Sequence, residues 1–504
     1  MMIAAQTQLD VSDLVLAEID KLLHELGQGK TLGTAYDTAW GARLSGHYPD
    51  YEFEAAVEWL RRNQNEDGSW GGQLEHQHDR YISTLAAIVT LAEVGRNPRD
   101  KRRVQRGETA LWKIVGRLGR DDSDTVGFPI LSAALATEAD ALGLDVPRAP
   151  IRYAKAYKKK VEALFQQPVR NWRGTSLTYS FEALRYASHS ADNVLEGNDS
   201  VSISPSATAA YLLTRSDDGA LTYLKELWAR EGTGAFTAVS PMDLMETSFA
   251  LNQLHAVGAI SADDPFVRRS LDRIWSAWSP TNGVSASSYW SLPDVDDTLA
   301  CFWSLRWGGY TVDTKVFDPF EAEEYFCGYP GETNPSPSCN VRLLGVLREN
   351  PDEDDNPRRI EKLISVMHRL DENGSFWSDK WQASPYYTTG QAVIALDGIA
   401  DDLALTRLKW IIRTQNDDGG WGYFGRSTVE ETSYCLRALL HWQRKLGTLD
   451  RMRIEVAANY MIRRLGEDYY PPMWIAKSLY TPLYIVKAAI LSALYDYLTW
   501  TGRY

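Results

Sequence analysis

Three aspartates, Asp294, Asp296 and Asp297, lie within four positions in the segment DVDDT. Their neighbours are largely apolar and aromatic, with SSYWSLP at 287–293 and TLACFWSLRW at 298–307. Clustered carboxylates in such surroundings do not all ionise cheaply, so at least one is expected to hold its proton at neutral pH. A retained proton makes a usable acid. The simpler alternative is a solvent-exposed helix cap, because Asp is favoured at helix N-termini.

The chain is also rich in aromatic residues, with 18 Trp and 26 Tyr against 13 Phe. Trp and Tyr have π faces that attract cations, although any single ring serves equally well in core packing. Alkenes are weak bases, so protonating one requires a strong acid and a dry cavity that stabilises the resulting tertiary cation. The acid cluster and the aromatic content together meet this requirement.

Helical patterns dominate the segments that must position these residues. Stretches such as 79–95 and 430–447 place apolar residues at helical spacing, while short loops rich in Gly, Pro, Asn and Asp separate them. Few alternating strand patterns occur. We therefore predict an all-α protein, and a length of 504 residues favours two domains.

An internal repeat supports two related domains. The segment QNEDGSWG at 64–71 recurs as QNDDGGWG at 415–422, and DENGSFW at 371–377 is a weaker third copy. In each copy a turn rich in Asp and Gly leads to a Trp that can fold back on the preceding helix. The Gln amide is expected to bond backbone groups left without partners at helix ends. Two close copies far apart in the chain favour two homologous helical domains over one solenoid.

These repeats resemble the QW motifs of the terpene cyclase superfamily. Three further segments resemble class II, or DxDD, terpene cyclases such as bacterial halimadienyl and copalyl diphosphate synthases: TAYDTAW at 34–40, SPSATA at 204–209 and WIAKSLY at 474–480. The resemblance implies an all-α fold of two α-barrel domains, with the active site between them. It implies a β domain of residues 1–29 and 191–504 and an inserted γ domain of residues 30–190.

The resemblance also assigns roles to residues. The middle aspartate of the motif, Asp296, would be the catalytic acid, and Asp294 and Asp297 would be its supporting carboxylates. Asn340, in the segment Cys-Asn-Val, would orient the acid. Five aromatic residues are in segments that match active-site stretches of the family and are expected to supply the substrate cavity: Trp290, Trp377, Trp381, Tyr386 and Tyr387. No histidine stands out as the base that ends the reaction.

One segment departs from the family pattern. Diterpene members bind a diphosphate with Mg²⁺ around a VGFE segment, which here reads VGFP and ends in Pro129. Proline offers a metal no side-chain ligand, so we predict no metal site and no cofactor, with Mg²⁺ needed only if the substrate is a diphosphate. The favoured substrate is then a prenylated aromatic acid with a sesquiterpene-type chain, cyclised with its head group retained. The alternative is conversion of geranylgeranyl diphosphate to a bicyclic diphosphate.

Four acids remain near Pro129 as hard oxygen donors that suit Mg²⁺, although acids before a loop are commonly surface charge: Asp121, Asp122, Asp124 and Glu138. Basic candidates for an anionic head group lie at 158–160 and 170–173, although a run of Lys commonly forms a solvated helix face.

Composition excludes several other classes. A net charge of −14 argues against a nucleic-acid partner. The absence of a signal-like segment or a long apolar run predicts a soluble, cytoplasmic protein without a transmembrane segment. The four cysteines form no CxxC pair and are predicted to be buried thiols. The small-molecule polyprenyl substrate is the one partner that the sequence indicates, and oligomeric state is not defined.

Three rival classes share parts of this pattern. An inverting glycoside hydrolase also combines an (α/α) barrel with paired carboxylates, but it needs an open groove with acids on opposite walls. A protein prenyltransferase subunit needs a zinc site, and no His or Cys spacing indicates one. A non-catalytic helical-repeat module gives no reason for DVDD among aromatic residues.

Overall fold

The computed structural model describes residues 2–49, 51–155, 158, 162, 172–184, 193–370 and 374–504. The basic candidates Lys159, Lys160 and Arg170 lie outside these residues, as do the first three residues of the weak repeat at 371–377. The N-terminal half contains α1 (Met2–Glu25), β1 (Gly33–Thr34), α2 (Ala35–Ala42), α3 (Glu54–Arg62), α4 (Gln77–Val94), α5 (Asp100–Val115), α6 (Phe128–Ala141), α7 (Pro205–Leu212), α8 (Asp218–Glu231) and β2 (Phe236–Thr237).

The C-terminal half continues with α9 (Asp243–His255), α10 (Pro265–Ala277), α11 (Val295–Trp307), α12 (Pro337–Leu347), α13 (Asn356–Arg369), α14 (Pro385–Ala395), α15 (Asp401–Arg413), α16 (Val429–Leu446), α17 (Arg451–Ile462), β3 (Trp474–Ile475), β4 (Leu479–Tyr480) and α18 (Leu483–Trp500). The predicted all-α class is confirmed, since the described strands are two-residue pairs.

Alternate helices of the C-terminal half form a closed inner ring. In this ring α9 packs on α11, α11 on α12, α12 on α14, α14 on α16, α16 on α18, and α18 on α9. The helices between them pack outside the ring, and α1 joins this outer layer against α18. This arrangement is an α-barrel with paired inner and outer helices.

A second barrel forms between α2 and β2. Its inner ring runs from α2 to α4, α6, the 3-10 helix Thr178–Ala183 and α7, which packs back on α2. The helices α3, α5 and α8 pack outside α2, α4 and α7. Each barrel has its own buried apolar core, which confirms the predicted two-barrel fold.

The junction between the barrels is marked by a short strand pair. Strand β1 pairs antiparallel with β2, with Gly33 opposite Thr237 and Thr34 opposite Phe236. The core of the second barrel spans residues 35–236. The predicted end of the inserted domain, residue 190, lies outside the described residues, and a domain that ended there would leave out α7 and α8, which pack into this core. We propose that the inserted unit extends from 35 to 236.

The repeated turns, which precede inner helices, form hydrogen bonds to outer helices in both barrels. The indole Nε1 of Trp70 donates to the Leu60 carbonyl at 2.8 Å, and that of Trp421 donates to the Ile411 carbonyl at 2.7 Å. Gln64 Nε2 donates to carbonyls of Gly68 and Arg103, and Gln415 makes the equivalent pair of bonds. The tryptophans fold back on the preceding helix, as predicted, whereas each glutamine bonds one carbonyl of its own turn and one in the first turn of the next outer helix.

Candidate active site

The three aspartates lie at the N-terminus of α11, on the inner ring of the C-terminal barrel. Asp294 is the N-cap, and its carboxylate accepts a hydrogen bond from the Asp297 backbone N–H at 2.8 Å. Asp296 and Asp297 occupy the first turn, where the helix dipole stabilises negative charge. The dipole therefore favours the carboxylate that an acid at this position becomes after it donates its proton.

Asp294 and Asp297 form a buried pair beneath the third acid. Burial raises the pKa of Asp294 to about 6, although the Asp297 N–H opposes the shift. Burial, together with the charge of Asp294, raises the pKa of Asp297 well above its usual range. Two carboxyls this close do not both ionise in an apolar setting, so the pair holds a proton at neutral pH. The sequence-based expectation of a retained proton agrees with these shifts.

Asp296 is more accessible than its neighbours and contacts an arginine. Its side chain is 17% exposed and accepts a hydrogen bond from the guanidinium of Arg342 on α12. The same guanidinium lies over the ring of Phe249, 4.5 Å from its centroid. Sequence reasoning missed Arg342. The signal for it was a lone charge in the buried apolar helix CNVRLLGVL.

Asn340 is fully buried and bonds to backbone instead of to the acid. Its Oδ1 accepts from the Phe326 N–H at 2.9 Å, and its Nδ2 donates to the carbonyls of Phe326 and Ser336. The Phe326 loop continues to Gly328, whose carbonyl accepts from the N–H of Val295 at 2.9 Å. Asn340 therefore reaches the acid helix through this loop.

The acids open into a cavity of about 140 Å³ between the two barrels. Trp290 and Trp381 line it, as the sequence predicts, together with Asp294, Asp296 and Asp297. Further aromatic walls come from Tyr179, Tyr329, Trp474 and Tyr480, which sequence reasoning did not single out. Indole and phenol rings on several sides provide the π faces that a carbocation requires.

The other three predicted cavity residues lie elsewhere. Trp377 donates its Nε1 to the Met367 carbonyl at 3.1 Å and so repeats the anchoring role of Trp70. Tyr386 stacks on Trp410 of the outer layer. Tyr387 lines a separate cavity of about 670 Å³ inside the C-terminal ring. The structure does not bring Trp377 or Tyr386 to the acid. Tyr387 lies nearer to it, since its ring centroid is 6.0 Å from the Arg342 guanidinium and 5.1 Å from that of Trp474, which lines the acid cavity.

The acids near Pro129 do not form an all-oxygen Mg²⁺ site. Asp121 accepts a hydrogen bond from His78, Asp122 accepts from the Tyr423 hydroxyl at 2.7 Å, and Glu138 pairs with Arg43 at 2.7 Å. Asp124 is half exposed and lies 3.9 Å from His78. Because these carboxylates are directed to different protein partners, they do not converge as Mg²⁺ ligands do.

A double α-barrel whose clustered acids face an aromatic cavity suits a cyclase that starts its reaction by protonating an alkene. Comparison with known proteins identifies the family to which the chain belongs. Residues 332–439 match the squalene-hopene cyclase C-terminal domain family. The chain is 34% identical over 493 residues to a type B diterpene cyclase from Mycobacterium tuberculosis, covering 93% of this chain and 96% of that one.

Two further relatives extend the likeness. A (+)-kolavenyl diphosphate synthase from Herpetosiphon aurantiacus is 29% identical over 529 residues, covering 96% and 98% of the two chains. The ent-copalyl diphosphate synthase structure from Streptomyces platensis matches with a TM-score of 0.78 and 26% identity, covering 97% and 99%. The chain belongs to the class II terpene cyclase family and is an enzyme. Among the described helices, none combines the length and apolar character needed to cross a bilayer.

Proposed function

We propose that the enzyme cyclises geranylgeranyl diphosphate to a bicyclic diphosphate by protonating its terminal alkene. The observation that carries this proposal is the position of Asp296, at the N-terminus of α11 and in the wall of the aromatic cavity. Relatives that align over almost the whole chain are named as diphosphate synthases, and they support this substrate class.

In the proposed reaction the carboxyl proton of Asp296 adds to the less substituted carbon of the terminal alkene. A tertiary cation forms, and the next alkenes attack it in turn to close two rings. Loss of a proton ends the reaction, so no redox partner or cofactor is consumed. The π faces of Trp290, Trp381 and Trp474 stabilise the cation and offer no competing nucleophile. The diphosphate ester is not broken.

A prenylated aromatic acid is the second candidate, and the VGFP segment favours it. Pro129 is buried at the start of α6, and the acids around it bond to protein groups instead of to one another. A head group without a diphosphate would need no cation at this position. The names of the relatives favour a diphosphate substrate. The experiment below therefore tests both substrates side by side.

The experiment incubates purified enzyme with geranylgeranyl diphosphate and with a farnesylated hydroxybenzoic acid, each with Mg²⁺ or with EDTA. Asp296→Asn is tested beside Asp313→Asn, a control at an exposed aspartate. We expect the diphosphate to be cyclised, with product identified by mass spectrometry and NMR. Activity should fall at least about 1,000-fold in Asp296→Asn, as expected when the essential acid is removed. Turnover of the aryl acid alone would contradict the proposed diphosphate substrate. An active Asp296→Asn variant would contradict the proposed role of Asp296 as the acid.

A further inference from the structure

Two loops of the inserted barrel bring two histidines and an acid together. His76 and His78 lie at the start of α4, and Asp121 follows the 3-10 turn Leu118–Arg120. One potential ligand atom from each residue lies within 4.8 Å of the other two. The side chains are 3%, 0% and 4% exposed, so the cluster is shielded from solvent. The sequence signal is His-x-His at 76–78, a spacing that by itself does not indicate a metal site.

The three atoms have the spacing of a metal's ligands. Asp121 Oδ2 is 2.7 Å from His78 Nδ1 and 3.5 Å from His76 Nδ1. A tetrahedral ion with bonds of about 2.0–2.1 Å holds its ligand atoms roughly 3.3 Å apart, which falls between these distances. The ligand atoms of His76 and His78 lie within 4.8 Å of each other, so adjustment of the carboxylate and of one imidazole would place all three atoms around one ion.

The outer contacts of His78 suit ligation through Nδ1. Its Nε2 lies 2.6 Å from the hydroxyl of Tyr153. Histidines that bind metals commonly donate their other N–H to an oxygen, which fixes the ring and leaves the ligating nitrogen with its lone pair. Tyr153 would have this supporting role, and Arg152 bonds the same hydroxyl at 2.7 Å.

Without an ion, weaker contacts occupy the same atoms. Asp121 Oδ2 accepts from the His78 ring and from the His78 backbone N–H at 2.9 Å. His76 Nδ1 accepts from the Asp79 N–H at 3.3 Å, a long bond at the N-cap of α4. A bound ion would replace the hydrogen bond between His78 and Asp121 and the long bond to His76, and would preserve the backbone contact.

We propose that His76, His78 and Asp121 bind one divalent transition-metal ion of the Zn²⁺, Co²⁺ or Ni²⁺ type. Two imidazoles and one carboxylate suit these ions, whereas Mg²⁺ prefers oxygen ligands and retains its water. Three protein ligands leave a coordination position open. The site is distinct from the acid cluster and does not depend on the identity of the substrate.

The site would stiffen one wall of the acid cavity. Val126, five residues after Asp121, lines that cavity and donates its N–H to the Ala476 carbonyl at 2.8 Å. Between these two residues Asp122 accepts from Tyr423 of the other barrel. A metal here would link α4 to the loop at 121–126. Because this loop contacts the other barrel, the metal would also fix the position of one barrel against the other.

The test measures binding directly. Untagged protein is stripped with a chelator and titrated with Co²⁺, followed by visible absorption, and then with Zn²⁺ as competitor. We expect one ion per chain, intense absorption of the kind that tetrahedral Co²⁺ gives, and displacement by Zn²⁺ but not by Mg²⁺. Zn²⁺ should also raise the midpoint of thermal unfolding, because an ion that binds only the folded state stabilises it.

Variants locate the site. His78→Gln and His76→Gln should each weaken Co²⁺ binding at least about 100-fold, more than loss of a supporting residue usually costs. His441→Gln, at a histidine paired with Asp397 elsewhere, should bind normally, and so should Asp296→Asn. The single-ligand variants are compared by circular dichroism so that misfolding is not mistaken for lost ligation. Absent Co²⁺ absorption in the stripped wild type, or wild-type Co²⁺ affinity in both histidine variants, would overturn the proposal.

Discussion

The buried pair of Asp294 and Asp297 makes the stability of the fold depend on pH. An acid whose pKa rises on folding stabilises the folded state below its unfolded value, and this contribution is lost as pH rises through the folded value. The unfolded value is about 4, and the pKa of Asp294 in the fold is about 6. The stabilising effect is therefore lost from about pH 4 upward, where the carboxyls of the unfolded chain ionise and those of the fold do not. For Asp294 the loss is complete near pH 6. Asp297, whose pKa burial raises well above its usual range, extends the loss above pH 6.

Asp297→Asn should remove most of this dependence, since the amide cannot ionise. We expect its midpoint of thermal unfolding to fall less between pH 6 and pH 8.5 than that of the wild type, by about a few degrees. The measurement is thermal unfolding by circular dichroism across that range. Asp313→Asn serves as the control, since its exposed carboxyl should leave the wild-type curve unchanged. Parallel curves for wild type and Asp297→Asn would show that the pair does not titrate there.

Arg342 is expected to set the pH range in which Asp296 works. A guanidinium beside a carboxyl favours the ionised form, whereas donation to an alkene requires the protonated form. Arg342→Gln should therefore move the alkaline limb of the kcat/KM profile upward, because the carboxyl loses the cation that favours its ionised form. Arg342→Lys retains the charge and should leave the limb near its wild-type position. A limb that shifts equally in both variants would point to altered packing over Phe249 instead.

At the scale of the element, the sequence predicted which segments meet and left open which side chains face the cavity. DVDDT at a helix start and the repeated QNxDGxWG turns are local patterns, so their positions follow from the chain itself. Tyr386 and Tyr387 are adjacent on α14, but one stacks on Trp410 and the other faces the interior of the ring. Neighbouring helical positions point about 100° apart, and tertiary packing alone decides which of them meets the acid.

The turn glutamines are expected to stabilise each barrel separately. Gln64→Ala and Gln415→Ala each remove two side-chain bonds to carbonyls, at distances of 2.9–3.0 Å. Each variant should lower the free energy of unfolding by about 1–3 kcal/mol. Denaturant unfolding measures the loss, and limited proteolysis shows which barrel opens first. Asn63→Ala, which removes one exposed bond to Trp59, should cost less. Equal losses in all three variants would contradict a special role for the turns.

At the scale of the whole molecule, the acid cavity depends on the docking of one barrel against the other. Lys477 comes from the C-terminal barrel and is fully buried against the inserted one. Its Nζ donates to Glu182 Oε1 at 2.6 Å, to Ser204 Oγ at 2.7 Å and to Ser206 Oγ at 2.9 Å. The residues just before it, Ile475 and Ala476, line the acid cavity. The ion pair between Lys477 and Glu182 therefore stabilises both the contact between the barrels and the adjacent wall of the acid cavity.

Removing one partner of this ion pair should lower the free energy of unfolding more than removing both partners. Lys477→Met leaves Glu182 as a buried charge without its cation, which costs about 3–5 kcal/mol of unfolding free energy. The double variant Lys477→Met with Glu182→Gln removes both charges, so it should recover a large part of that loss. Chemical denaturation of both single variants and the double variant gives the coupling energy. Because Ala476 adjoins the acid cavity, Lys477→Met should also lower kcat under conditions where the protein remains folded. Additive losses in the double variant would show that Lys477 and Glu182 act independently, and the interface would then depend on its apolar contacts.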